Sequence, residues 1–171
     1  GNAELSRGGI PVFGSDAVAG LIAARGESYR AAVLTLLEDP PVRSYAPAYR
    51  ALEFVPPDRV FPLAEGLTLS FGSESVQVYF PGPAHSPDNA AVYFPARRIL
   101  YGGGMILAGD STGNAADADL AAWPESAARL RRFAFDLLIP GYGDRMDPSL
   151  LDHTLSLLAG AASPTRSGDA E

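Results

Sequence analysis

The order of apolar segments in this chain predicts an α/β fold in which a mixed, mostly antiparallel sheet is covered by helices. Three observations carry that prediction. Two strand-like runs alternate apolar and polar positions across a short turn, and another strand pair follows them. Segments with one apolar helical face come before and after these strands. The chain has 171 residues of which 47% are hydrophobic, enough for one domain to bury a sizeable core.

The elements follow in order. Asn2-Ala3-Glu4-Leu5-Ser6-Arg7 reads as a helix stopped by Gly8-Gly9, since glycine readily closes a helix in the left-handed conformation. Ile10-Pro11-Val12-Phe13 reads as a short buried strand. Ser15 or Asp16 then caps a helix whose inward face is Val18, Leu21, Ile22 and Ala24, and Gly26 is expected to end it. A second helix is expected over residues 28–38, with Ala31, Val33, Leu34 and Leu37 inward. Residues 39–57 hold Pro40, Pro41, Pro47, Pro56 and Pro57, so they read as an irregular crossover with room for one helical turn.

Strands are expected at Arg59-Val60-Phe61-Pro62-Leu63, Leu67-Thr68-Leu69-Ser70-Phe71 and Val76-Gln77-Val78-Tyr79-Phe80, the last two joined by a turn at 72–74. Ala90-Ala91-Val92-Tyr93-Phe94 and Arg98-Ile99-Leu100-Tyr101 make the next pair. Pro124 suits the first turn of a helix carrying Ala127, Leu130 and Phe133. A buried strand, Asp136-Leu137-Leu138-Ile139, precedes a last helix over about 148–158, and a polar tail from Ala162 is expected to be disordered.

Composition narrows the function classes. The net charge of −7 arises from 20 acidic and 13 basic residues with no basic stripe, which argues against a nucleic-acid partner. No apolar run approaches the roughly 20 residues that span a bilayer, so no membrane span is expected. No signal peptide is legible, and the missing initiator Met points to a segment removed upstream. With no cysteine, the chain has neither disulfides nor thiolate ligands nor a cysteine nucleophile.

Chemistry concentrates in three separated segments. The first is Pro81-Gly82-Pro83-Ala84-His85-Ser86-Pro87-Asp88-Asn89, a histidine in a tight turn between two strands, a place where catalytic groups are often presented. Asp88 and Asn89 are expected to hold this loop through side-chain to backbone bonds. The second is Leu100-Tyr101-Gly102-Gly103-Gly104-Met105-Ile106, leading to Gly113-Asn114-Ala115-Ala116-Asp117-Ala118-Asp119. Its glycines lack the Lys-Ser/Thr of a phosphate loop and read as backbone that must pass close to something. The third is Ile139-Pro140-Gly141-Tyr142-Gly143-Asp144. Ser86 beside His85 has no second base or orienting acid in a recognisable pattern, so a serine-hydrolase reading is weak. His153, on the last helix, reads as a surface residue.

In this order the three segments, with Ala122-Trp123-Pro124-Glu125-Ser126, resemble the metallo-β-lactamase family, and the crossover over residues 39–57 resembles the family's subclass with Asp, Cys and His at the second zinc. The resemblance covers nearly the whole chain and implies the C-terminal half of the family's αβ/βα sandwich over residues 1–161, with 162–171 as a tail. Gly1-Asn2-Ala3-Glu4-Leu5 looks like the helix that begins after the family's His-x-His-x-Asp motif, so that motif and the N-terminal half are expected upstream. The resemblance makes His85 a retained zinc ligand. It puts Gly104 where a ligand cysteine belongs and Tyr142 where the last ligand histidine belongs; a neutral phenol is a poor zinc ligand, so Tyr142 is expected to be a packed aromatic. Leu107 stands where many relatives have a lysine for the substrate carboxylate, and Asn114 matches a substrate-binding position, with a plain turn asparagine as its simpler reading.

Family members use zinc to activate water against the cyclic amide of β-lactams, and are periplasmic or secreted. A catalytic zinc needs about three protein ligands and an open position. This chain supplies His85, so it is expected to bind no stoichiometric zinc and to be inactive alone. Three readings are open: a degenerate or truncated relative, half of a split enzyme completed by a complementary N-terminal half, or a binding module for a small anion.

Overall fold

The computed structural model describes residues 1–161; the tail expected at 162–171 lies outside the described residues. The described chain divides into two compact units, Gly1–Leu63 and the residues from Ala64 onward.

In the first unit, helix α1 (Asn2–Arg7) closes at Gly8 as expected, and strand β1 (Phe13–Ser15) begins three residues later than the sequence suggested. Ser15 caps helix α2 (Asp16–Leu36), its hydroxyl oxygen accepting the Val18 N–H at 3.1 Å. The expected break at Gly26 does not occur: α2 runs through it as one helix of 21 residues. Gly26 is the buried point of α2, and a β-carbon there would lie 3.0 Å from Cγ of Phe54. The glycine is needed for close approach of the Phe54 ring, a long-range contact that local propensity cannot reveal. Ala24 and Ala31, expected inward, are exposed. The proline-rich crossover folds as a 3-10 turn at Arg43–Tyr45 and helix α3 (Ala46–Ala51), with Pro47 in its first turn. Strand β2 (Arg59–Phe61) pairs in parallel with β1, Phe13 opposite Arg59. Asp58 locks the start of this pairing, accepting the Val12 N–H at 3.0 Å and the Ser6 hydroxyl at 2.9 Å.

The second unit is a five-stranded sheet in the order β3-β4-β5-β6-β7. Strands β3 (Leu67–Phe71), β4 (Glu74–Tyr79), β5 (Ala91–Phe94) and β6 (Ile99–Gly103) form an antiparallel meander. Helix α4 (Trp123–Ala128), with Pro124 in its first turn, continues into a 3-10 turn at Arg129–Arg132. Strand β7 (Leu137–Pro140) then joins β6 in parallel, and helix α5 (Leu150–Ala161) ends the described chain. The α/β class and the mixed, mostly antiparallel sheet are those expected.

Burial alternates along β5, β6 and β7, so Ala91, Tyr93, Leu100 and Leu138 share one buried face. Trp123, Ala127 and Leu130 join them from α4 and the turn after it, with Leu150, Leu151 and Leu158 from α5 and Met105 and Ile106 from the β6–α4 connection. The parallel β6–β7 pair is fastened at its start by Arg98, in the left-handed region at φ 52°, whose guanidinium meets the Asp136 carboxylate at 2.7 and 2.8 Å.

The directions of these strands position the site. β4 and β6 each run antiparallel to β5, and β7 is parallel to β6, so the carboxyl ends of β4, β6 and β7 lie on one edge of the sheet. The His85 loop, the glycine-rich loop and the Tyr142 loop leave from those three ends.

Two outcomes test this account of the first unit. Gly26→Leu overpacks the Phe54 contact and should lower stability by about 1–3 kcal/mol in urea unfolding; an unchanged midpoint would refute that contact. The Val12 N–H, then the Ser6 hydroxyl, hold the Asp58 carboxyl below its ordinary 3.8. Its contribution is therefore fully present above that value and is lost as pH falls through the lower folded-state pKa. Melting curves from pH 5 to 2 should show the chain losing more stability than Asp58→Asn, and equal slopes would contradict this.

Candidate functional site

Each loop at the sheet edge is set by bonds that the sequence provides locally or through α4 and α5. After β4 the chain turns at Gly82 (φ 129°), where a β-carbon would lie 2.5 Å from the Ser126 hydroxyl. Glycine is required there on both counts. The carbonyls of Pro81 and Pro83 accept from the Arg129 guanidinium and the Ser126 hydroxyl, each at 2.7 Å. Within the turn the Ser86 hydroxyl donates to Asp88 Oδ1 at 2.7 Å and the Asn89 amide donates to the Ser86 carbonyl. Asn89 thus makes the expected side-chain to backbone bond, whereas Asp88 is held by a neighbouring hydroxyl. His85 sits half-buried in this frame, its ring edge-on to the buried Trp123 at 5.6 Å between centroids.

The glycine run after β6 passes close to two things. A β-carbon at Gly102 would lie 2.2 Å from Cγ1 of Ile106, and one at Gly141 would lie 2.7 Å from the Gly104 nitrogen. Gly141 donates its N–H to the Gly103 carbonyl at 2.8 Å, so the second and third loops share one layer of backbone. The Trp123 indole N–H donates to the Met105 carbonyl at 2.9 Å, and the buried Thr154 hydroxyl accepts the Leu107 N–H at 2.9 Å while donating to Leu150. His153, read from sequence as a surface residue, is half-buried and meets the Gly109 carbonyl through Nε2 at 2.9 Å. His153 and Thr154 support the site without a motif that would mark them, whereas Trp123 lies in a segment that the sequence singles out without showing its bond to Met105. The clue was present in Trp123, the sole tryptophan of the chain, at a Pro-marked helix start.

His85, Gly104, Asn114 and Tyr142 all line one cleft of ≈490 Å³, with Ile106 and Leu107 among its apolar walls. The ring of His85 lies directly over Gly104: a β-carbon there would be 3.2 Å from Nδ1. Tyr142 is 72% exposed, so it is not the packed aromatic that the sequence suggested; glycines on both sides leave its ring little to pack against, and it meets His85 as a tilted pair at 6.2 Å. Asn114 is exposed, its carbonyl oxygen accepting the Ala116 N–H at 3.1 Å, which is an Asx turn.

This donor set does not fit a catalytic zinc. One imidazole stands beside a glycine with no side chain and an exposed phenol, a poor zinc ligand in water. Among the described residues no group of three or more His, Cys, Asp or Glu side chains converges.

No protein-family model matches the chain. Individual proteins do. It is 39% identical over 94 residues to a type 2 metallo-β-lactamase of Bacillus cereus, covering 53% of this chain and 37% of that protein. It is 34% identical over 98 residues to the type 2 metallo-β-lactamase of Bacteroides fragilis, covering 55% and 39%. The structure matches a metallo-β-lactamase from Pontibacter korlensis with TM-score 0.69 and 34% identity, over 92% of this chain and 61% of that one. The fold is thus that of an α/β scaffold whose site lies in loops at one sheet edge. In sequence and in structure the chain is similar to part of a metallo-β-lactamase, spanning just over a third of the curated relatives it matches and about three fifths of the solved one.

Thr154 tests how the cleft is held. Thr154→Val leaves the buried Leu107 N–H without an acceptor and should cost about 1–3 kcal/mol in urea unfolding, with faster hydrogen exchange at Leu107. Thr154→Ser, which keeps the hydroxyl, should cost less. A Val variant as stable as the parent would show that the bond does not carry the loop.

Proposed function

We propose that this chain carries the C-terminal part of a metallo-β-lactamase scaffold over residues 1–161, in a form that neither binds zinc stoichiometrically nor opens a β-lactam by itself. The carrying observation is the space at Gly104 beside the His85 ring: where relatives are expected to place a thiolate there is no side chain, and an added β-carbon would come within 3.2 Å of the imidazole. Tyr142 leaves the third position to an exposed phenol. On this reading the substrate class of the whole protein is a β-lactam and its cofactor is zinc, both by likeness to the relatives. His85 is the ligand retained, and Asn114 faces substrate only if its turn opens. Export to the periplasm is part of the same reading; among the described residues no helix is long and apolar enough to cross a membrane.

Dialysis of the purified chain against zinc, followed by metal analysis, should find well under one zinc per chain, and nitrocefin should be hydrolysed no faster than in buffer. A stoichiometric zinc removed by His85→Ala, or turnover abolished by that variant, would overturn the proposal.

A further inference from the structure

The exchange of two ligand positions leaves a cleft with a chemistry of its own. Its walls are apolar at Ile106, Leu107 and Ala108, and the polar groups at its rim, Ser111, Thr112 and Asn114, are uncharged. Among the described residues no Lys or Arg lines it, and the chain as a whole carries a net charge of −7. The neighbouring Arg145 is drawn to Asp147 and Ser149 at 3.3 Å. An anion entering here would shed water without gaining a fixed cation, a loss that burial magnifies. The lining thus offers the small-anion module considered from sequence no fixed cation among the described residues.

Two rings mark the opposite preference. His85 and Tyr142 stand 6.2 Å apart at 43°, and Tyr142 keeps 72% of its surface in solvent, an aromatic face left uncovered beside a cleft of ≈490 Å³. Cavities of this size with apolar walls and a few neutral hydrogen-bonding groups suit a small molecule. A flat ring covering Tyr142 gains both buried area and offset stacking.

We propose that this cleft binds a neutral planar aromatic molecule against Tyr142, with the rim hydroxyls and amide serving its polar substituent and no metal taking part. The proposal rests on the metal-free reading of the site.

Three molecules of one shape and different charge test it: benzamide (neutral), benzoate (anionic) and benzamidine (cationic), titrated at pH 7 into the ¹⁵N-labelled chain with EDTA present. Benzamide should shift the amides of Gly104, Gly109, Gly113 and Gly143 saturably, with a Kd on the order of 1 mM, as expected of so small a ligand. Among the described residues the lining holds no Lys or Arg for benzoate and no Asp or Glu for benzamidine, so both should bind at least ~5-fold more weakly. Tyr142→Ala, at an exposed position that leaves the fold intact by circular dichroism, should weaken benzamide ~3- to 10-fold, while Tyr142→Phe, keeping the ring, should stay within ~2-fold. Absence of a saturable shift, equal binding of a charged isostere, or indifference to Tyr142→Ala would each overturn the proposal. Zinc uptake in a parallel sample without EDTA would sink the metal-free reading separately, leaving the benzamide result to stand or fall by itself.

Discussion

At the carboxyl ends of β6 and β7 the backbones at Gly103, Gly104 and Gly141 lie so close that no side chain fits between them, and the Gly141 N–H closes the approach on the Gly103 carbonyl. That contact brings the glycine-rich loop beside the Tyr142 loop. It extends the parallel pairing of β6 and β7 past its last register position, and the residues that follow it, Gly104 and Tyr142, line the cleft. The surrounding bonds serve the same geometry: Trp123 holds Met105, Thr154 holds Leu107, and His153 meets Gly109. The cleft is built by hydrogen bonds and steric fit among loops anchored to one hydrophobic core.

Because the scaffold is held this way, it does not rest on side chains at positions 104 and 142. Gly104 has no side chain and Tyr142 is exposed, so the bonds of their backbone neighbours do the structural work. A protein whose loops were organised by the metal itself would behave otherwise, since ligand binding and folding would then be one free energy. Likeness to metallo-β-lactamases in backbone is therefore compatible with a glycine and an exposed tyrosine at these positions.

The sheet was legible where the signal was local. Alternation in Leu67-Thr68-Leu69-Ser70-Phe71, with Gly72 after it, specified a strand and its turn without help from distant residues. Gly26 misled because a glycine in mid-helix has two meanings, termination and close packing, and the one that applies depends on Phe54, far along the chain. In the site, His85, Gly104 and Tyr142 could be placed together because their motifs kept order and context. The exposure of Tyr142 could not, since its neighbours are glycines that fix no packing partner. Thr154 was invisible for a different reason: a threonine on an amphipathic helix looks the same whether its hydroxyl meets water or a buried amide.

The separation between β6 and β7 bears on the order in which the second unit can assemble. Pairings from β3 through β6 join strands that are neighbours in the chain, so each closes a short loop and loses little chain entropy. The β6–β7 pairing must instead close the whole excursion through α4 before any contact rewards it. Sheet edge, α4 and α5 meet only at that step, and the loops around His85 have nothing to rest on until then. By topology the meander is the early, local structure, and the cleft is completed with the longest-range contacts of the unit.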